Sequence, residues 1–185
     1  MQGLMMDFPL TITSIMEHAE RVHGAQEIVS VTRDNPRHRY TYADSFARVR
    51  QLANAMNAWG LAQSDRIATL AWNDYRHFET YYAAACAGYV CHTINPRLFP
   101  EQIVYIINHA EDQYVFLDPD FWPLIEQVAP QCTGVKGWVV MTTAEHMPET
   151  AVSNVHCYED LLAGQASTYE WPAIDENDAC ALCYT

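Results

Sequence analysis

Polar and aromatic side chains that could do chemistry follow the apolar segment RIATLA (66–71). Trp72, Asn73, Arg76 and His77 form this first cluster. Such residues could bind a ligand at the end of a strand. Asn73 or Asp74 can also cap a helix, and aromatic rings pack well at such junctions. We therefore expect the cluster to serve packing and helix capping.

A second polar group follows the apolar segment YVCHTI (89–94) and consists of Asn95, Pro96 and Arg97. A guanidinium in such a loop can pair with a phosphate group. We favour the alternative, a local ion pair of Arg97, because the sequence beyond this loop is strongly acidic. Within the segment, His92 either faces a ligand or is a hydrogen-bonded histidine of the core, and we favour the core.

The cysteines include one closely spaced pair, Cys180-x-x-Cys183, which could belong to a metal site or a redox site. Residues three apart in a strand point to opposite faces, and no second pair or histidine group completes four ligands. We predict no metal site. We expect the cysteines to be small buried hydrophobic residues in a reducing compartment. They are Cys86, Cys91, Cys132, Cys157, Cys180 and Cys183.

The elements that must position these residues alternate between strand and helix from residue 61 onward. Such alternation with short connections predicts a mainly parallel sheet with helices on both faces, an α/β fold. His109 falls near the end of one predicted helix, where the helix dipole favours a histidine. A short helix is predicted near 158–163. Strands are predicted at 66–71, 89–94, 114–117, 135–141 and 179–185.

The first sixty residues have a different pattern. A helix capped by Thr11 or Thr13 is followed by a predicted hairpin over 27–42. Thr41, with Asp44 three residues later, is typical of the start of a helix. The apolar stripe of that helix comprises Phe46, Val49, Leu52, Ala53 and Met56. We expect residues 1–60 to contribute to a neighbouring subdomain and residues 61–185 to form the parallel α/β subdomain.

Composition and charge narrow the class of protein. Hydrophobic residues make up 50% and aromatic residues 12% of the 185-residue chain, which is typical of a globular protein. No stretch is long and apolar enough to span a membrane, and the N-terminus lacks the basic start of a signal peptide, so we expect a cytoplasmic protein. Residues 98–185 contain fourteen acidic residues and a single basic one, Lys136. Nucleic acid is therefore an unsuitable partner.

Three segments, in order, resemble the adenylate-forming enzymes. The segment 40–44 (YTYAD) is similar to their "Thr-Tyr-x-Glu" segment. The segments 87–90 (AGYV) and 95–97 (NPR) are similar to their "Ala-Gly" and "Asn-Pro" segments. The last residues, 182–185 (LCYT), resemble the start of their phosphate loop, "Tyr-Thr-Ser-Gly-Thr-Thr-Gly". The sequence between these segments resembles that of acyl-CoA ligases for short and medium acyl chains, methylmercaptopropionate–CoA ligases among them.

The resemblance implies an acid–thiol ligase that uses ATP, Mg²⁺ and CoA. A carboxylic acid would react with ATP to give acyl-AMP and pyrophosphate, and the CoA thiol would then displace AMP. By this resemblance Thr185 contributes to the ATP phosphate loop, and Asn95, Pro96 and Arg97 border the CoA nucleotide. A homodimer is a further expectation.

The resemblance also implies that the chain is the N-terminal part of a longer enzyme. The remaining phosphate loop, the magnesium-binding Glu and the catalytic Lys would then follow Thr185, so no catalytic residue is expected in this chain. Lys136 is expected to be solvated. The alternative, from another class, is a complete α/β module for binding or dimerisation without chemistry.

Overall fold

Residues 3–185 are described by a computed structural model, in which helices and strands alternate along most of the chain. Three short 3₁₀ helices add to them at Pro119–Phe121, Ala129–Gln131 and Ala144–His146. The elements are α1 (Ile12–His23), β1 (Glu27–Ser30), β2 (His38–Thr41), α2 (Tyr42–Asn57), β3 (Arg66–Leu70), α3 (Tyr75–Cys86), β4 (Val90–Thr93), α4 (Pro100–Ala110), β5 (Asp112–Leu117), α5 (Trp122–Val128), β6 (Gly137–Val140), β7 (Val155–Cys157), α6 (Tyr158–Leu162) and β8 (Ala181–Leu182).

The main sheet contains six parallel strands in the order β7-β6-β5-β3-β4-β8. The predicted parallel α/β fold is therefore confirmed. β7 was not predicted. Its three residues, VHC, lie in a polar connection and are too few to show the alternation of apolar and polar residues that indicates a strand. The strand predicted at 179–185 forms, but its paired part is only Ala181–Leu182. β1 and β2 pair antiparallel in the predicted hairpin.

Apolar clusters fill both faces of this sheet. On one face, helices α1, α2, α3 and α6 cover sheet residues such as Ile67 and Phe116. On the other face, α4 and α5 cover Ala68 and Val115. Successive residues of β3 join opposite clusters, because neighbouring residues of a strand point to opposite faces of the sheet. Helices on both faces, as predicted, leave the carboxyl ends of the strands as the open edge.

The start of α2 follows its predicted chemistry. The Thr41 side chain accepts a hydrogen bond from the Asp44 backbone N–H, and the Asp44 carboxylate accepts one from the Thr41 backbone N–H. This reciprocal capping satisfies two backbone donors that the first helical turn leaves free. The predicted apolar stripe of α2 is fully buried. It packs in the same cluster as the main sheet, so α2 and the sheet share a core.

Two predicted helix faces differ from the structure. The spacing of Ile15, Met16, Ala19 and Val22 predicts that they form the inward face of α1; Met16 is buried, whereas Ile15 and Val22 are 55% and 54% exposed. For α3 the spacing predicts an inward face of Tyr75, Phe78, Tyr81, Tyr82 and Ala85, but the buried residues also include Arg76 and Glu79. Sequence patterns assume that charged side chains point to solvent. That assumption fails here because ion pairs compensate these charges, as described below.

No helix within residues 3–185 combines the length and the apolar character required to cross a lipid bilayer.

Candidate functional site at the carboxyl edge of the sheet

β4 and β8 lie side by side, and both predicted site segments follow them. Cys91 is opposite Ala181, and His92 is opposite Leu182. Since the strands are parallel, the loop 95–97 and the residues 183–185 leave the sheet at the same edge. We call these two segments the β4–β8 corner. The structure thus brings together the two segments that the sequence singled out.

The loop 95–97 is ordered by its own backbone. The Asn95 side-chain oxygen accepts a hydrogen bond from the Arg97 backbone N–H at 3.0 Å. The Arg97 side chain is exposed, and its guanidinium makes no hydrogen bond or ion pair with any of residues 3–185. The alternative of a local ion pair is therefore wrong. Arg97 is free to pair with an anionic ligand.

Side chains hold the residues that precede Thr185. The Thr93 hydroxyl lies 3.2 Å from the Cys183 sulfur on one face of the sheet. On the other face, the Tyr184 hydroxyl and His109 Nδ1 share a hydrogen bond of 2.6 Å. Thr185 itself is exposed.

His92 is a core histidine, as favoured from the sequence. Its Nδ1 lies 2.9 and 3.0 Å from the two carboxylate oxygens of Asp112, and both side chains are fully buried. A carboxylate can only accept, so Nδ1 carries the hydrogen. Burial raises the pKa of Asp112, and the hydrogen bond from His92 opposes that rise. His92 Nε2 has no hydrogen-bond partner among the described residues.

A cavity of about 570 Å³ opens where β3, β5 and β6 end, beneath the turn between β1 and β2. We call it the hairpin cavity. Its walls include Asp34, Asp74, Asp118 and Asp120, with Trp72 beside them. Burial raises the pKa of Asp118 to about 7, although the Trp72 backbone N–H donates to its carboxylate. The cavity is therefore acidic and unsuited to a phosphate group.

The sequence profile of the family described as "AMP-binding enzyme" matches residues 16–185. That match covers most of the chain, including the β4–β8 corner. The chain belongs to the AMP-binding enzyme family.

Curated relatives agree with this assignment. The AMP-binding chain is 47% identical over 185 residues to the 3-methylmercaptopropionyl-CoA ligase of Ruegeria lacuscaerulensis. It is also 47% identical over 185 residues to the medium-chain-fatty-acid–CoA ligase of Ectopseudomonas oleovorans. Each alignment covers 100% of this chain and 34% of the relative. The chain thus spans about a third of the length of these relatives.

Solved structures share the fold. An anthranilate CoA ligase in complex with anthranoyl-AMP matches with a TM-score of 0.82 and 18% sequence identity, over 97% of this chain and 33% of that chain. The fatty acyl CoA synthetase of Mycobacterium tuberculosis matches with a TM-score of 0.75 and 23% identity, over 95% of this chain and 32% of that chain. At these identities the likeness concerns the fold alone.

Buried ion pairs brace this edge of the AMP-binding fold. Arg76 is 2% exposed and lies 2.8 Å from both Asp34, in the hairpin turn, and Glu159, in α6. Burial works to raise the pKa of Asp34, but Arg76 and other donors outweigh it and hold the pKa at about 2. Arg48 of α2 similarly pairs with the fully buried Glu79 at 2.7 Å.

The expectation of a structural role for the Trp72 cluster fits these contacts. Arg76 connects elements, and His77 lies 3.0 Å from the Thr69 hydroxyl. Asp74, rather than Asn73, caps α3. Sequence reasoning missed the acidic partners of Arg76, because they lie 42 and 83 residues away and have no local signal.

The cysteines of the AMP-binding chain match the expectation in part. Cys86, Cys91, Cys132 and Cys157 are buried, but Cys180 is only half-buried and Cys183 is exposed. The prediction of burial is therefore wrong for the closely spaced pair, because it lies on the short edge strand. No group of three or more His, Cys, Asp or Glu residues suited to a metal ion occurs within residues 3–185.

Proposed function

We propose that this chain is the N-terminal part of an ATP-dependent acyl-CoA ligase. Its substrate would be a short- or medium-chain carboxylic acid, with methylmercaptopropionate as one candidate. The observation that carries the proposal is identity of 47% across all 185 residues to two proteins named as CoA ligases. The β4–β8 corner supports it, because two candidate binding segments meet there.

In the proposed reaction, a carboxylate oxygen of the acid attacks the α-phosphorus of ATP. The bond to the pyrophosphate breaks, and pyrophosphate leaves. The CoA thiolate then attacks the acyl carbon, a thioester forms, and AMP departs. The proton of the thiol goes to solvent.

The role proposed for this chain is to bind and orient the nucleotides. Thr185 would offer its hydroxyl and backbone N–H to an ATP phosphate, since backbone donors at such a turn bind anions. The loop of Asn95, Pro96 and Arg97 would border the CoA nucleotide, with the unpaired guanidinium of Arg97 facing a phosphate. Both segments leave the same edge of the sheet, so ATP and CoA would approach this chain from one side.

Mg²⁺, a homodimer and a cytoplasmic location are further proposals. Magnesium would neutralise charge on the pyrophosphate, but residues 3–185 do not fit a site for it, because they contain no suitable ligand cluster. A second copy could cover the exposed apolar side chains of Leu4, Met5, Phe8 and Leu10. The six unpaired cysteines support a reducing compartment.

Pyrophosphate release by the intact protein tests the ligase proposal. The assay contains ATP, Mg²⁺, CoA and one acid at a time from a panel of aliphatic, thioether, aryl and amino acids. We expect the fastest release with short or medium aliphatic or thioether acids. A preference for aryl or amino acids would overturn the substrate class, and no release with any acid would overturn the ligase proposal.

A further inference from the structure

The strand that leads to Thr185 is held by very little backbone pairing. β8 has two residues and stands at the end of the strand order, so β4 is its one neighbour among the described strands. Segments with so few backbone hydrogen bonds open readily. Within residues 3–185, side-chain contacts are the other interactions that hold the segment 183–185.

Tyr184 makes the strongest of these contacts. Its hydroxyl shares a hydrogen bond of 2.6 Å with His109 Nδ1, and its ring lies 5.2 Å from the His92 ring, measured between centroids. His109 belongs to the last turn of α4, which packs against the sheet through buried residues such as Ile106 and Ile107. The hydrogen bond thus connects the sparsely paired segment after β8 to helix α4, which is packed against the sheet.

The other contacts at this point are weaker. Cys183 reaches only the Thr93 hydroxyl, and a sulfur atom is a poor hydrogen-bonding group. Tyr105 lies beside His109, with ring centroids 5.2 Å apart, but its hydroxyl makes no hydrogen bond among the described residues. Among residues 3–185, His109 alone makes a polar contact with the Tyr184 side chain. This contact can fix the direction of the chain beyond β8.

We propose that His109 is a positioning residue for nucleotide binding at Thr185. Through the hydrogen bond with the Tyr184 hydroxyl, His109 fixes the backbone at residue 184 and thereby places the Thr185 hydroxyl and N–H. The identity of the ligand at Thr185 rests on the proposed function. The placement of residues 183–185 rests only on the contacts of Tyr184.

Kinetics of the intact protein test the inference. Tyr184→Phe removes the hydroxyl of Tyr184 but keeps its ring, and His109→Leu removes the imidazole to which that hydroxyl is hydrogen-bonded. We expect each to raise the KM for ATP by about 2- to 10-fold, the range for one neutral hydrogen bond. The double variant should show no further increase, because both changes remove the same bond. The KM for the carboxylic acid should change less than twofold, roughly, since the acid does not contact Thr185.

Two variants separate positioning from a general loss of structure. His109→Asn places an amide oxygen near the position of Nδ1, so we expect it to restore the KM for ATP. Tyr105→Phe removes a hydroxyl of the same kind beside His109 and should have no effect. Fully additive effects of the two single variants, or unchanged KM values in both, would overturn the inference.

Hydrogen exchange distinguishes failure of this inference from failure of the proposed function. In the intact protein, amides of residues 182–185 should exchange at least about threefold faster in Tyr184→Phe and His109→Leu than in the unchanged protein. Tyr105→Phe should match the unchanged protein. If these two variants exchange faster but the unchanged protein has no ligase activity, the result supports the role of His109 in placing residues 183–185 and rejects ATP as the ligand at Thr185. Equal exchange rates in all variants would reject the positioning, whatever the activity.

Discussion

Arg97 is exposed, and none of its possible acidic partners in residues 3–185 reaches it. If it pairs with a CoA phosphate, Arg97→Ala should raise the KM for CoA by about 2- to 5-fold, since an exposed charge pair contributes up to about 1 kcal/mol. The KM for ATP in the pyrophosphate assay should stay unchanged. Arg21→Ala, an exposed arginine of α1, is the control for charge. An unchanged KM for CoA would remove the loop 95–97 from the CoA site.

Asp118 should make stability depend on pH. Its pKa rises from 3.8 to about 7 on folding because of burial. Between these values the folded state keeps a proton that the unfolded state has lost, so the free energy of unfolding falls as pH rises, by about 4 kcal/mol in total. Asp118→Asn retains an acceptor for Trp72 but has no proton to lose. Urea denaturation at pH 5 and pH 8 should show a smaller difference for this variant.

Glu101→Gln is the control for that measurement, since it removes an exposed carboxylate of α4 that is not among the charges acting on the Asp118 pKa. It should keep the pH dependence of the unchanged protein. Equal pH dependence of the Asp118→Asn variant and the unchanged protein would mean that Asp118 ionises normally in the folded state.

At the scale of elements, Arg76 joins the hairpin, α3 and α6. Arg76→Leu leaves the Asp34 carboxylate without its ion-pair partner at a buried site, whereas Glu159 keeps Arg48. We expect the change to lower the free energy of unfolding by about 3 to 5 kcal/mol. Arg33→Ala breaks the exposed pair with Asp120 in the same hairpin and should cost less than about 1 kcal/mol. Urea denaturation measures both. Similar losses in the two variants would show that the Arg76 network does not brace these elements.

The proposed division near residue 60 predicts unequal opening of the elements. α1 leaves Ile15 and Val22 exposed, and β1 and β2 form a sheet of only two strands. We expect amides of α1 and of the hairpin to exchange faster than those of β3, β4 and β5, measured by native-state hydrogen exchange. Equal protection would mean that residues 1–60 and 61–185 open as one unit, in keeping with the core that α2 shares with the sheet.

The sequence predicted the elements that have a clear period or cap. Thr41 and Asp44 identified the start of α2, and the order of strands and helices identified the parallel sheet. The proximity of the loop 95–97 to Thr185 needed the strand order, which no local pattern contains. The buried face of α3 was missed because Arg76 and Glu79 find partners far away in the chain. The length of β8 was overestimated because apolar residues alone do not show where pairing stops.

For the whole molecule, the proposed function limits what this chain can do alone. Of the proposed phosphate-binding turn, these 185 residues contain only Thr185. The single lysine, Lys136, is exposed on the segment that precedes β6, as expected. Groups that act as a unit leave no proportionate remnant of activity. We expect the 185-residue chain to bind ATP with a Kd of about 1 mM or weaker. It should form no acyl-AMP.

Calorimetric titration with ATP and a pyrophosphate assay measure these properties. The intact protein, assayed in parallel, should bind ATP and release pyrophosphate. Micromolar affinity or thioester formation by the 185-residue chain would contradict the expectation and would place a complete nucleotide site within it.

The position of β8 beside β4 also has a consequence for biosynthesis. Cys183 follows its partner Thr93 by 90 residues, whereas β3, β4 and β5 are close together in the chain. During translation, these three strands can pair while β8 is still within the ribosome, because segments made first can fold first. Until β8 emerges, the edge of β4 remains open to other chains. Among the strands of residues 3–185, β8 is thus the last to join the sheet, and the nascent chain is exposed to mispairing at β4 until it does.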